Sequence, residues 1–256
     1  MNREVFIGIE LGSTRIKSVA VDFCGNVLAK GVSEWENRLT DGEWTYTESD
    51  IKQGIARSFA ALKRDYAHNC GEKLVSASAM GISAMMHGYL AVDEHGKMLS
   101  KFLTWRNTVT GSEAEELTRL FRFNVPERWS VAHLYRMIKK RAKHLDNLYK
   151  VTTLAGWVHY LLTGKHVVGV CEASGIFPVD GFTYDAEKAR IFDDLIIRSG
   201  YSFKTTEIFP RISEAGVFAG TLTEEGAELL DPTGEFKAGV PLCAPEGDAA
   251  TGMVAA

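Results

Sequence analysis

Gly12, Ser13 and Thr14 stand between two apolar runs, with Glu10 just before them and Lys17 just after. Phe6, Ile7 and Ile9 lead in and Ile16 to Val21 leads out, so the stretch reads as strand, tight polar turn, strand. Such a turn offers several backbone N–H groups and two hydroxyls in a small concavity, which suits a polyphosphate, and Lys17 adds a nearby cation. Glu10, at the end of the first strand, could hold Mg²⁺ through water. An ordinary β-hairpin with a glycine- and hydroxyl-rich turn accounts for the same residues, because the turn matches neither Gly-x-x-x-x-Gly-Lys-Ser/Thr nor Gly-x-Gly-x-x-Gly.

Three further groups could do chemistry. Asp248 follows Gly247 and the apolar run Val240 to Ala244, which places it at a strand end in a loop of small residues. A carboxylate there can orient an attacking hydroxyl and take up its proton in phosphoryl transfer; an aspartate capping the next helix is the alternative. Met86-His87-Gly88 ends another strand. Its histidine and backbone can bond hydroxyls while the methionine covers a C–H face, although a lone histidine at a strand end is commonly structural. Trp105-Arg106-Asn107 supplies an indole to stack on a sugar ring, with a guanidinium and an amide to read hydroxyls.

The elements that must position these groups follow from periodicity and punctuation. Cys24-Gly25-Asn26 turns the chain into a third strand, Val27 to Val32, and the polar, Trp-bearing stretch Asn37 to Thr47 reads as a surface loop. Ser49 or Asp50 caps a helix whose apolar positions are Ile51, Ile55, Phe59, Leu62 and Tyr66, ended by Gly71. Leu74 to Ser83 is a buried strand candidate. Helices follow: one behind a Ser112/Glu115 capping box, one carrying Val131, Leu134 and Ile138, one from Leu154 to Gly164, and one over Asp185 to Ser199. The end, from Ile208, alternates glycine turns with short strands and one brief helix after Thr223. Strands first, helices in the middle and strands again suggest α/β or α+β layers.

At 256 residues the chain can bury a substantial core, and a net charge of -4 with dispersed Lys and Arg gives no footprint for nucleic acid or a membrane surface. Four separated cysteines form no Cys-x-x-Cys pair, so neither a zinc site nor a disulfide framework is suggested. The N-terminus lacks a signal-like apolar run, and a cytoplasmic location is the expectation. Because the chain stops straight after Gly247 to Gly252, a turn that should open a helix, a fragment is expected.

These residues also carry a resemblance. Gly8-Ile9-Glu10-Leu11-Gly12-Ser13-Thr14, with Lys17 and Asp22, resembles the first phosphate motif of the sugar kinase, chaperone and actin superfamily, whose usual form has Asp where this chain has Glu10. Pro245-Glu246-Gly247-Asp248-Ala249-Ala250 is similar to the stretch in which the FGGY carbohydrate kinases hold their catalytic base. Met86-His87-Gly88 resembles the sugar-contacting Met-His-Gly of the xylulokinase-like branch, which commonly has Gly-Gln in place of Ala84-Met85. Trp105 to Thr110 stands in the place of Trp-x-Asp-x-Arg-Thr, with Asn107 for the Asp and Val109 for the Arg. Cys171-Glu172-Ala173-Ser174-Gly175 resembles a Thr-Asp-Ala-Ser stretch, with Glu172 standing for the Asp, and reads as structural support that could also contact the sugar side.

By these motifs, in this order, the chain is identified as similar to the N-terminal, sugar-binding domain of the FGGY kinases over residues 1–256. The resemblance implies a ribonuclease H-like α/β fold with a mixed five-stranded sheet flanked by helices. It implies transfer of the γ-phosphoryl of ATP, with Mg²⁺, to a sugar or polyol hydroxyl, a xylulose-like ketose being favoured. Asp248 would be the base, Glu10 would place Mg²⁺, and Gly12, Ser13, Thr14 and Lys17 would hold phosphate. Met86, His87, Trp105, Arg106 and Asn107 would line the sugar pocket. Adenosine recognition would come from a C-terminal domain absent here, so the chain alone is expected to be inactive, and the face left open favours a homodimer. A non-catalytic sugar-binding or regulatory relative is the alternative, motivated by Glu10, Asn107 and Val109.

Overall fold

Alternation of apolar and polar residues along three early segments decides the two faces of the central sheet. The computed structural model describes residues 4–255. Strands β1 (Phe6–Leu11), β2 (Arg15–Val21) and β3 (Val27–Glu34) form an antiparallel meander. They bury Ile7, Ile9, Leu11, Ile16, Ser18 and Ala20 on one face. Against that face lies helix α1 (Glu48–Cys70), which presents Ile51, Ile55, Phe59, Leu62 and Tyr66 as the period of 3.6 requires. The closest approach of α1 to the sheet is at Gly31 of β3, where an added Cβ would run into the backbone of Ser58 and Leu62. The other face of the sheet carries Gly8, Glu10, Lys17, Val19, Gly81 and Ser83 and forms the floor of a cavity described below.

On the far side of β1 the strand Ala79–Ala84 runs parallel to it, and Pro241–Cys243 and Glu246–Gly247 run parallel to that strand as two halves of one interrupted strand. These fill the five expected positions. A sixth strand, Phe218–Thr221, pairs antiparallel with Pro241–Cys243 and forms the edge. Helices Gly111–Phe121, Ser130–Lys139, Leu154–Thr163 and Ala186–Arg198 build the remaining layers. A second apolar cluster, with Leu117, Leu134, Phe177 and Phe192, holds much of this helical part together.

Several expectations are corrected. The stretch Asn37 to Thr47 is not a surface loop: Arg38–Thr40 and Glu43–Tyr46 form a hairpin around Asp41-Gly42, both at positive φ, and the second strand pairs with Phe102–Leu103. Asp-Gly is a strong hairpin signal, and Tyr46 is buried. The cap of α1 is Thr47 rather than Ser49 or Asp50; Asp50 is its partner, closing a capping box. Leu74 to Ser78 lies outside the strand, which begins at Ala79. Ser112 and Glu115 form no capping box, because the helix starts at Gly111 behind Thr110, whose hydroxyl donates instead to the Glu127 carbonyl at 2.5 Å. Asp248 opens the helix Asp248–Ala255 and so lies in its first turn rather than in a loop.

Candidate active site

Strands β1, Ala79–Ala84 and Glu246–Gly247 are parallel, so their C-terminal ends reach the same edge of the sheet. That edge is where open α/β sheets hold ligands. The first end delivers the turn Gly12 to Thr14, the second Met85 to Gly88, and the third Asp248.

The turn is held from behind. Gly12 N–H closes it on the Arg15 carbonyl at 3.0 Å, so of the three expected donors only Ser13 and Thr14 keep backbone N–H groups without a partner among the described residues. Trp35 Nε1 donates to the Gly12 carbonyl at 2.7 Å, Tyr46 Oη to the Ser13 carbonyl at 2.6 Å, and Trp35 N–H to the Thr14 carbonyl at 3.1 Å. Carbonyls engaged inward leave the N–H side outward. Lys17 and Glu10 are cross-strand neighbours and form an ion pair at 3.2 Å, both about half exposed. The phosphate cation and the metal carboxylate expected from sequence therefore neutralise one another in the free chain.

Asp248 lines two cavities. One, of about 500 Å³, contains Glu10, Lys17, Ser83, Glu246 and Thr251. The other, of about 160 Å³, contains Met85, Met86, His87, Trp105 and Arg128. Burial raises the pKa of Asp248 above the ordinary aspartate value, the Glu10 charge adds to this, and the backbone N–H groups of Met86 and Ala249 oppose it. A more basic carboxylate at the junction is the better proton acceptor. Glu10, Asp248 and nearby hydroxyls give only oxygen donors, which suits a hard cation held through water. Among the described residues no three His, Cys, Asp or Glu side chains gather as a full coordination shell.

In the smaller cavity His87 has φ of +68°, an uncommon backbone for a non-glycine residue, which turns its ring toward Gly175. A Cβ at Gly175 would sit 2.7 Å from His87 Nδ1, so the Cys171 to Gly175 stretch does support the pocket from behind. Burial lowers the pKa of His87 to about 4, with Arg128 contributing, and the imidazole is neutral at pH 7. Trp105 is 43% exposed, and its Nε1 donates to Ser13 Oγ at 3.3 Å, tying the cavity to the turn.

Two expected pocket residues are elsewhere. Asn107 is 3% exposed, and its amide is consumed by backbone: Oδ1 accepts from Trp44 N–H, and Nδ2 donates to the Trp44 and Thr104 carbonyls, all at 2.8 to 2.9 Å. Arg106 lies over the Trp44 ring, 4.0 Å from its centroid, and donates to Asn37 Oδ1. Both residues fix the Glu43–Tyr46 hairpin instead of facing the cavity.

Of three further residues near the site, Arg128 has no motif to announce it, while Glu172 and Glu246 lie inside stretches whose resemblance assigns them no chemical role. Arg128 lies in an irregular segment, docked by Gly88 N–H on its carbonyl at 2.8 Å. Glu172 is fully buried with neither carboxyl oxygen bonded, and Glu246 is 7% exposed with Oε2 unbonded. A Cβ on Gly247 would come within 2.9 Å of Glu172 Oε1, so this carboxyl packs directly behind the residue preceding Asp248. Burial pushes Glu172 up to about 8; the nearby Thr153 hydroxyl opposes the rise, and the Glu246 and Asp248 charges add to it. Between the ordinary value of 4.5 and about 8 the folded chain keeps a proton that the unfolded chain has lost, so rising pH favours unfolding across that window. Glu172→Gln removes the effect. Thermal melts at pH 5 and pH 8 should show the variant gaining on the parent at the higher pH, by on the order of 1 kcal/mol per pH unit. Parallel behaviour at both pH values would mean that Glu172 ionises normally.

Known proteins share the sequence and the fold. An L-fuculokinase of Salmonella typhi is 22% identical over 265 residues, covering 97% of this chain and 51% of the relative. A xylulose kinase of Staphylococcus epidermidis is 30% identical over 122 residues, 47% of this chain and 24% of the relative. The chain thus spans about half the length, or less, of these curated relatives. The crystal structure of the xylulose kinase from Rhodospirillum rubrum shares the fold, with a TM-score of 0.77 at 18% identity over 96% of this chain and 50% of that one. Residues 5–255 match the family profile of the FGGY carbohydrate kinases, N-terminal domain, and the chain belongs to that family.

Proposed function

We propose that this chain is the acceptor-binding half of a cytoplasmic kinase that moves the γ-phosphoryl of ATP to a hydroxyl of a sugar, polyol or sugar acid, with a xylulose-like ketose as one candidate. The observation that carries this reading is that Asp248 is shared by the two cavities, with Glu10 and Lys17 on one side and His87 and Trp105 on the other. A hydroxyl in the smaller cavity would meet the carboxylate at the point where a phosphoryl group in the larger cavity could be reached.

Asp248 orients that hydroxyl and accepts its proton. The Ser13 and Thr14 N–H groups and Lys17 hold phosphate oxygens, and Trp105 covers a ring face while neutral His87 bonds a hydroxyl. Glu10 would hold Mg²⁺ through water, with Lys17 turned to phosphate, and the ion would supply charge neutralisation. A second domain provides the contacts to adenine and ribose and closes over both ligands. Asn107 does not argue for a non-catalytic relative, because its amide is engaged by backbone and holds the hairpin in place.

The test is ADP release by the full-length protein with MgATP and a panel of pentuloses, hexuloses, polyols and sugar acids. Acceptor-dependent release is expected. Saturable sugar binding without any release would establish the regulatory alternative instead.

A further inference from the structure

Arg128 is the cation of the smaller cavity, and it is exposed at the mouth. Its stem is fixed on both sides. The Arg128 carbonyl accepts from Gly88 N–H, Ser130 Oγ donates to the Gly88 carbonyl at 2.7 Å, and Thr110 Oγ1 grips the preceding residue. Among the described residues Arg128 enters hydrogen bonds only through its backbone, and its guanidinium has no ion pair. The neighbouring Glu127 cannot serve, because its carboxyl lies beside Gly111 at the start of another helix, 3.7 Å from where a Cβ there would be. The lining of this cavity is otherwise two methionines, an indole, a neutral imidazole, Ala249 and Asp248. Among the described residues of the lining Asp248 is the only carboxylate, and the proposed reaction already uses it.

A neutral polyol is best read by acceptors that take its O–H groups, and here the one amide acceptor expected of the pocket, Asn107 Oδ1, is taken by Trp44 N–H. An unpaired guanidinium presents a planar fork matched to a carboxylate. Resting on the kinase reading above, we infer that the acceptor is a polyhydroxy carboxylate of the aldonate type, its acid group on Arg128 and its reacting hydroxyl at Asp248. Trp105 covers the carbon chain between them. Arg128 is then the specificity-determining residue.

Steady-state kinetics of the full-length protein with matched pairs decide this: xylonate against xylitol, gluconate against sorbitol, with xylulose and a sugar phosphate alongside. The acid should exceed its neutral partner in kcat/KM by at least about 10-fold. Arg128→Gln should cost the acid roughly 10- to 100-fold, mainly through KM, and the polyol less than about 3-fold, with partial rescue in Arg128→Lys. Equal use of acid and polyol, a preference for the sugar phosphate, or equal losses for both in Arg128→Gln would overturn the inference while leaving the kinase reading intact. If no compound is phosphorylated, the kinase reading fails, and calorimetric titration of the same pairs still decides: tighter binding of the acid that Arg128→Gln abolishes supports the inference, and any other result overturns it.

Discussion

Asp248→Asn is expected to lower turnover of the full-length protein by roughly 10²- to 10⁴-fold while acceptor affinity changes little. The amide keeps the shape of the carboxylate at the junction of the two cavities, but it cannot take up the proton of the attacking hydroxyl. Burial and Glu10 raise the pKa of this group, so turnover should fall on acidification at a higher pH than an ordinary aspartate would dictate. Coupled measurement of ADP release across pH, together with calorimetric titration of the acceptor, separates the two effects. Wild-type turnover in the variant, or a loss that is all in binding, would remove Asp248 from the role of base.

Gly31→Ala should be the most damaging small substitution in the sheet, costing about 3 kcal/mol. The new methyl would meet Ser58 and Leu62 through their backbone, which no rotamer change can relieve, so α1 must lift from β3. Lifting it strains the Ser18–Ser58 hydroxyl pair at 2.8 Å and loosens Phe59 and Leu62 in the core. Gly8→Ala, on the opposite face with nothing within 4 Å, is the matched control and should be nearly neutral. Urea unfolding midpoints of the two variants check the difference. Equal midpoints would show that helix and sheet can move apart at little cost.

The parts of this fold that could be read from sequence are those governed by local periodicity. The meander β1 to β3, the buried stripe of α1 and the glycine stops at Gly71 and Gly164 all depend on neighbours a few residues away. Some errors were local, such as the overlooked Asp41-Gly42 turn and the Thr47 cap, and others arose where a distant partner decides. Glu43–Tyr46 becomes a strand by pairing with Phe102–Leu103, and Asn107 becomes a bracket for Trp44 rather than a ligand contact, across 63 residues of chain. At the site, the motifs located His87, Trp105 and Asp248, which do gather on one cavity. Arg128 escaped because its importance is set by what surrounds it, and Glu172, legible as part of a supporting stretch, gave no sign in its spacing that its carboxyl would be buried.

The grip on the Gly12 to Thr14 turn bears on the entropy of ligand capture. Its three carbonyls are held by groups from two other segments, Trp35 at the end of β3 and Tyr46 in the hairpin, and the two rings stack at 4.1 Å. A loop free to wander would lose on the order of 1 kcal/mol or more per residue on being ordered around an anion. Here that freedom is already gone when the chain folds, so a phosphate entering the turn would find its donors in place, and nearly all of the attraction could appear as affinity.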